Sequence, residues 1–135
     1  MNIVQLSSKA SLVFLALVAA PSIFAAGGWY LLVPPRSGYD ELKGYKILDT
    51  EPLSKWTQQG AYDSASDCEA VKNGLLSAER MFYSKSAEDY GNALSAKKDA
   101  AVLMVMRSAT ETSNANVEAL MASRCIKSDD PRLGK

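Results

Sequence analysis

Cys68 and Cys125 are the two cysteines of this chain, and histidine is absent. A lone thiol pair can form a structural disulfide, stay as two buried free thiols, or cycle between those states. Cycling favours C-x-x-C spacing, which these residues lack. The choice between a bond and free thiols rests on the compartment where the chain folds. Lack of histidine removes the commonest general base, proton shuttle and metal ligand. A Ser-His-Asp or Cys-His arrangement cannot be assembled.

Carboxylates remain for acid–base work. Asp40, Glu41, Asp49 and Glu51 lie close in sequence and would be the donors for glycoside cleavage. No flanking motif fixes their separation. A solvated loop is the simpler reading, so the chain is expected not to be an enzyme, with a carboxylate-dependent hydrolase as the alternative. Met104 and Met106, with Met81 and Met121, carry thioethers that suit Cu(I). Positions two apart on a helix point away from each other, so 102–106 reads instead as a helix segment buried on several sides. Asp129, Asp130 and Glu69 lack the spaced oxygen pattern of a calcium loop. No metal and no cofactor are expected. Trp29, Tyr30, Trp56 and Tyr62, with Tyr39 and Tyr45, concentrate in the N-terminal half. Packed singly they belong to the core or a sheet edge. Exposed together on one sheet face, they would form a platform for sugar rings or a partner protein.

The compartment is written at the front of the chain. Lys9 precedes an apolar run over 12–20, and Pro21 leads into Ala25-Ala26-Gly27-Gly28. Charged, apolar and small-residue segments in this order predict a secretory signal peptide over residues 1–27, with Ala25 and Gly27 suiting a cut after Gly27 and a cut after Ala25 as the alternative. The run is shorter than the about 20 residues that span a bilayer, so membrane contact is expected only through an uncleaved signal. Residues 28–135 then make one small exported domain, periplasmic or secreted. In that oxidising space Cys68 and Cys125 are expected to bond. The formal net charge is +0. With no basic excess to neutralise phosphates, the chain is not expected to bind nucleic acid or an anionic lipid surface.

Short elements must position these residues. Trp29-Tyr30-Leu31-Leu32-Val33 suits a buried strand, and Pro34-Pro35 ends it. Residues 36–54, broken by Gly38, Gly44 and Pro52, are expected to wrap the surface. A second strand is predicted over 55–62, with Gly60 marking a bulge. Ser66 and Glu69 have the spacing of a capping box. They open a helix to about residue 84, with an apolar stripe of Cys68, Val71, Leu75, Ala78 and Phe82. A further helix over 86–109, merging with the first or breaking from it near 85, a polar loop at 110–114, a short helix over 115–123 and a closing strand at 124–127 complete the reading. The fold class is α+β: a small antiparallel sheet of two to three short strands packed against helices, with one disulfide.

Four blocks occur together: Trp29 to Pro35, Pro52 to Trp56, Tyr62-Asp63-Ser64 with Cys68-Glu69, and Arg124-Cys125-Ile126 with 128–133. As a set they resemble small exported bacterial proteins of unknown function. The resemblance leaves 75–120 unmatched and implies a shared scaffold without an activity. Separately, Thr57 to Ser64 followed by a helix is similar to the first strand–helix unit of SPOR domains, which bind denuded peptidoglycan glycan; a second unit is not visible. The expected role is a non-catalytic structural or interaction protein of the bacterial envelope. The alternative is a module binding cell-wall glycan or a small ligand through an aromatic sheet face. An envelope protein or peptidoglycan is the expected partner. If the thiols are bonded, alkylation of the denatured chain shifts its mass only after reduction; full alkylation without reductant overturns the bond.

Overall fold

The computed structural model describes residues 28–41 and 43–134; the predicted export segment, 1–27, lies outside them. Strand β1 (Trp29–Val33) is central, antiparallel to β2 (Thr57–Tyr62) on one side and to β3 (Arg124–Lys127) on the other. Its aromatic and branched residues suit a strand covered on both faces. Leu31 and Leu32 point to opposite faces and are both buried. Cys125 lies across from Leu31, and it bonds Cys68 in helix α1 (Ala65–Ser95), so this is the helix side. On the other side Leu32 packs with Leu53, Trp56 and Ile126, flanked by Tyr30 and Leu133. Short 3-10 turns at Leu53–Lys55 and Pro131–Leu133 bring two of those residues beneath the sheet. Each fully buried aliphatic there contributes about 2 kcal/mol.

The bulge falls where glycine marked it. Between Leu31 and Leu32 the β2 partners step from Gly60 to Gln58, leaving Gln59 as the extra residue. The Tyr62 ring lies directly over Gly60, so a Cβ there would strike its hydroxyl end.

The helices differ from the sequence reading in four ways. First, α1 is capped by Ser64, not Ser66. The Ser64 hydroxyl accepts from the Asp67 amide at 3.1 Å and donates to the Asp67 carboxylate at 2.7 Å. Ser64 holds extended backbone where the chain leaves β2, whereas Ser66 is already helical.

Second, α1 does not end near 84 but runs unbroken for 31 residues, about 46 Å. It stops at a turn with no glycine. Lys97 adopts φ 51, its amide donates to Leu94 and the Lys98 amide to Ala93. This is a Schellman closure built on lysine. Asp99 then caps helix α2 (Ala100–Ala122) by accepting from the Ala101 amide.

Third, the expected loop at 110–114 lies inside α2, joining the two helices predicted on either side of it. Thr110 bonds back to the Met106 carbonyl, Arg107 pairs with Glu111 and Asn114 bonds Glu118. Ser113 is buried at the contact with α1. Weak propensity is overridden by packing and by neighbours four apart.

Fourth, the apolar stripe is rotated. Cys68 is buried and Leu75 half-buried, but Val71, Ala78 and Phe82 are exposed. The face turned to α2 runs through Lys72, Glu79, Tyr83, Ser86, Tyr90 and Ala93. Each helix of a two-helix hairpin has one covered face, so the segment at 102–106, expected to be buried on several sides, leaves Val102, Met104 and Val105 open.

The observed class is α+β, with one disulfide joining the first turn of α1 to β3 across 57 residues. In the chain-entropy account that closure stabilises the fold by about 4 kcal/mol. Among the described residues no helix is long and apolar enough to cross a membrane.

The lysine at the hairpin turn gives a direct test of this geometry. Lys97→Gly relieves the left-handed backbone and is expected to raise unfolding free energy by ~0.5–1 kcal/mol in chemical denaturation. A loss of stability would show that residue 97 does not hold that conformation.

Candidate functional site

Residues 34–41 and 43–48 form a strap laid along the helical hairpin. Two isolated bridges, Arg36 with Ile47 and Asp40 with Gly44, fold it back on itself. Gly44 sits at φ 68, a backbone position that favours glycine. The Asp40 carboxylate accepts from the Lys43 amide and closes the tip.

Two anchors tie the strap to α2. Arg36 Nη1 donates to Asn116 Oδ1 at 2.8 Å, and its guanidinium lies 5.2 Å from the Tyr45 ring centre. Tyr39 stacks at a tilt on Tyr45 with centroids 5.3 Å apart, and its hydroxyl donates to the Glu111 carboxylate. Arg107 Nε donates to the other Glu111 oxygen at 2.8 Å. The Tyr39 hydrogen bond, then that from Arg107, holds Glu111 below its ordinary value of 4.5. The same carboxylate holds Tyr39 above its ordinary 10.0. Between strap and hairpin a cleft of about 330 Å³ is lined by groups of both signs, among them Glu41, Lys43, Arg107 and Glu118.

On the opposite side of the hairpin the strap contributes Arg36, which bonds Asn116 there. A groove of about 530 Å³ runs there between the helices. Glu79, Ser113 and Asn116 form its floor, and Phe82, Val105 and Ala109 its apolar rim. Ser113 Oγ and Asn116 Nδ2 donate to the Glu79 carboxylate over long distances, 3.4 and 3.5 Å. Toward the sheet the groove continues past Leu75 and Leu120 to Val33 and Gln59. Phe82 is 59% exposed and Val105 69%. Burying such side chains would gain roughly 1.5–3 kcal/mol each.

The four aromatics offered as a contact surface do not share one face. Trp29 lies across from Tyr62 on the helix side, both half-buried, while Tyr30 points to the other face. Trp56 is buried in that second face, where its indole N–H donates to the Glu51 carbonyl at 2.8 Å and Arg124 stacks above it.

The carboxylates have local partners. Asp40 closes its turn, Glu51 pairs with Lys55 at 2.8 Å, and Glu69 lies 3.8 Å from Lys72. Asp130 caps the last 3-10 turn and holds Arg132, whose hydrogen bonds lower its titration to about 2. Among the described residues, no group of three or more Cys, Asp or Glu side chains could hold a metal ion. Met81 and Met104 are 73% and 72% exposed, on a hairpin too thin to cover them.

Sequence reasoning missed the groove because its rim comes from two separate helices. The signal was present in the spacing of Val102, Val105 and Ala109, three then four residues apart. No protein-family model matches this chain, and neither does any curated protein or solved structure.

The Tyr39–Glu111 anchor sets a pH response on the acid side. A folded-state value below the unfolded one means that Glu111 stabilises the strap fully above the ordinary glutamate range. That contribution is lost as pH falls through the lowered value. The Tyr39 ring resonances are therefore expected to shift as pH drops below 4.5, and Glu111→Gln to flatten that titration. Flat wild-type resonances across the acid range would show that the anchor does not form.

Proposed function

We propose that this protein is a non-catalytic structural or interaction protein of the bacterial cell envelope, exported by residues 1–27 and working through its helical hairpin. One observation carries the reading: α1 and α2 extend well past their sheet, and one side keeps Phe82, Val102 and Val105 open to solvent. Scattered exposed apolar residues need no account, but a contiguous apolar rim over a polar-floored groove marks an interaction surface. The tip of the strap covers the other side, and the rim at Phe82 and Val105 stays open.

The order of segments at the N-terminus, together with a disulfide between the two cysteines, supports an oxidising destination. A glycan-binding role through an aromatic sheet face would need Trp29, Tyr30, Trp56 and Tyr62 together. Their division between two faces makes the interaction reading the stronger one.

The test is made in the living cell. A photo-crosslinking residue at position 82 or 105 of the full chain is expected to give a discrete protein adduct in the envelope fraction. The same residue at exposed Asp49, away from the groove, should give none. Absence of any adduct from 82 and 105, or a chain found entirely in the cytosol, overturns the proposal.

A further inference from the structure

We propose that pairing of β1 with β3 shields the processing site at the head of the domain, so that the folded precursor resists the export peptidase. The site is open only until β3 arrives. The inference rests on export by residues 1–27, as read above, and adds how that step is timed.

Small side chains at Ala25 and Gly27 suit a cut between Gly27 and Gly28. A peptidase takes its substrate as an extended segment and bonds the backbone on both sides of the cut. The residue after this cut is already used by the fold. The Gly28 carbonyl accepts from the Ser128 amide at 2.8 Å. Trp29, the next residue, stands between Tyr62 of β2 and Lys127 of β3. Because β1 is the central strand, both edges of Trp29 are occupied and neither is left for an enzyme to pair with. Two residues further in, Leu31 is fully buried on the helix side. No spacer separates the cut from the sheet. Presenting Gly28 and Trp29 to an active site therefore means peeling the head of β1 away from two neighbours.

The order of elements along the chain gives the shield its timing. Export delivers a chain from its N-terminus, and a strand docks only when its partners are present. Strand β2 precedes the helices, whereas β3 and Ser128 follow both of them. The outer strands do not pair with each other; each pairs with β1 alone. The bond from Ser128 to Gly28 is thus a contact of high sequence separation, a kind that forms late. While α1 and α2 are still being delivered, Gly28 is without its cover and the peptidase has access. Afterwards the disulfide locks the shield. Cys125 lies within β3 opposite Leu31 and is bonded to Cys68, so β3 cannot drift from β1 without pulling on α1.

A precursor that escapes the cut keeps its export segment, and the fold sets where that segment attaches. Helix α1 starts beside Tyr62, which pairs with Trp29, passes Leu31 at Cys68 and reaches Val33 at Leu75. Its turn at Lys97 therefore lies at the end away from Gly28. The cut and uncut forms present the same hairpin surface.

The full-chain precursor, folded with its disulfide closed, is incubated in detergent with purified signal peptidase. A second precursor carries a six-residue glycine–serine spacer between Gly28 and Trp29. About 20 Å of extended chain then moves the cut clear of the sheet. The spacer form is expected to be cut at the Gly27–Gly28 bond about tenfold or more faster than wild type, which must first open locally. Circular dichroism and resistance of the thiols to alkylation should be the same in both. Ser128→Pro removes the amide that holds Gly28. Residue 128 occupies the second position of the Lys127–Asp130 turn and follows a strand residue, a place where proline fits. This variant should be cut several-fold faster than the folded wild type. Equal rates for wild type and spacer form, or a rate indifferent to Ser128→Pro, overturn the inference. Failure to cut either form shows that 25–28 is not a processing site and overturns it as well. The interaction reading is judged separately, by crosslinks from positions 82 and 105, and stands or falls independently of these rates.

Discussion

Two long helices joined by a tight turn must be fastened to a sheet of three short strands, and the fastening is concentrated at one end. Cys125 on β3 faces Leu31 on β1, and its sulfur bonds Cys68 in the first turn of α1. Leu31 and Cys68 are fully buried. The cross-link fixes where α1 leaves the sheet and sets the start of a lever that then extends about 46 Å. Without it, the helix would be oriented by its Ser64 cap, the contacts of its first turns and its packing along α2, which leads directly into β3. A domain this small has little core to spare, which is why one covalent link carries so much of its order. The second face of the sheet depends on that placement less directly. Leu32, Leu53, Trp56 and Ile126 would still cluster, but nothing there restrains the hairpin.

Beyond the fastening, the hairpin is asymmetric. One side is occupied by the strap, held by a guanidinium on an amide, a phenol on a carboxylate and two stacked tyrosines. These are polar and aromatic contacts at half-exposed positions, each modest and together specific. The other side is apolar at its rim and polar only on its floor. A hairpin tip with two helices covers one face of each and leaves the rest to solvent or to another molecule. The observed exposure of Phe82 and Val105 is a consequence of that geometry, and their grouping is what gives the surface a direction.

Much of the fold was readable in the residues. The central strand, its proline terminator, the bulge at Gly60, the closing strand at 124–127 and the pairing of two cysteines all rest on local rules that nothing distant overrides. The helical region was less readable, for physical reasons that differ from place to place. Ser66 competed with Ser64 for the cap, and only the direction in which β2 exits decides between them. Lys97 takes a backbone conformation that sequence rules assign to glycine, so the turn at 96–99 carried no mark. Thr110 to Asn114 have weak helical preference, and a buried serine facing α1 holds them in register. The groove could not be seen at all from one helix. Its rim combines Phe82 with Val105, and Phe82 was assigned inward because an apolar stripe on a single helix is read as facing a core.

The inserted residue in β2 has an effect beyond bending that strand. As an outer strand, β2 offers a row of unpaired backbone groups to any passing chain. At Gln59 the even repeat of donors and acceptors is broken, and the adjoining residue is a glycine overlain by its neighbour's ring. A foreign strand could match the pleat for only two or three residues before falling out of step. Interruption of this kind discourages runaway stacking of sheets into fibres, in which every strand must find an unbroken neighbour.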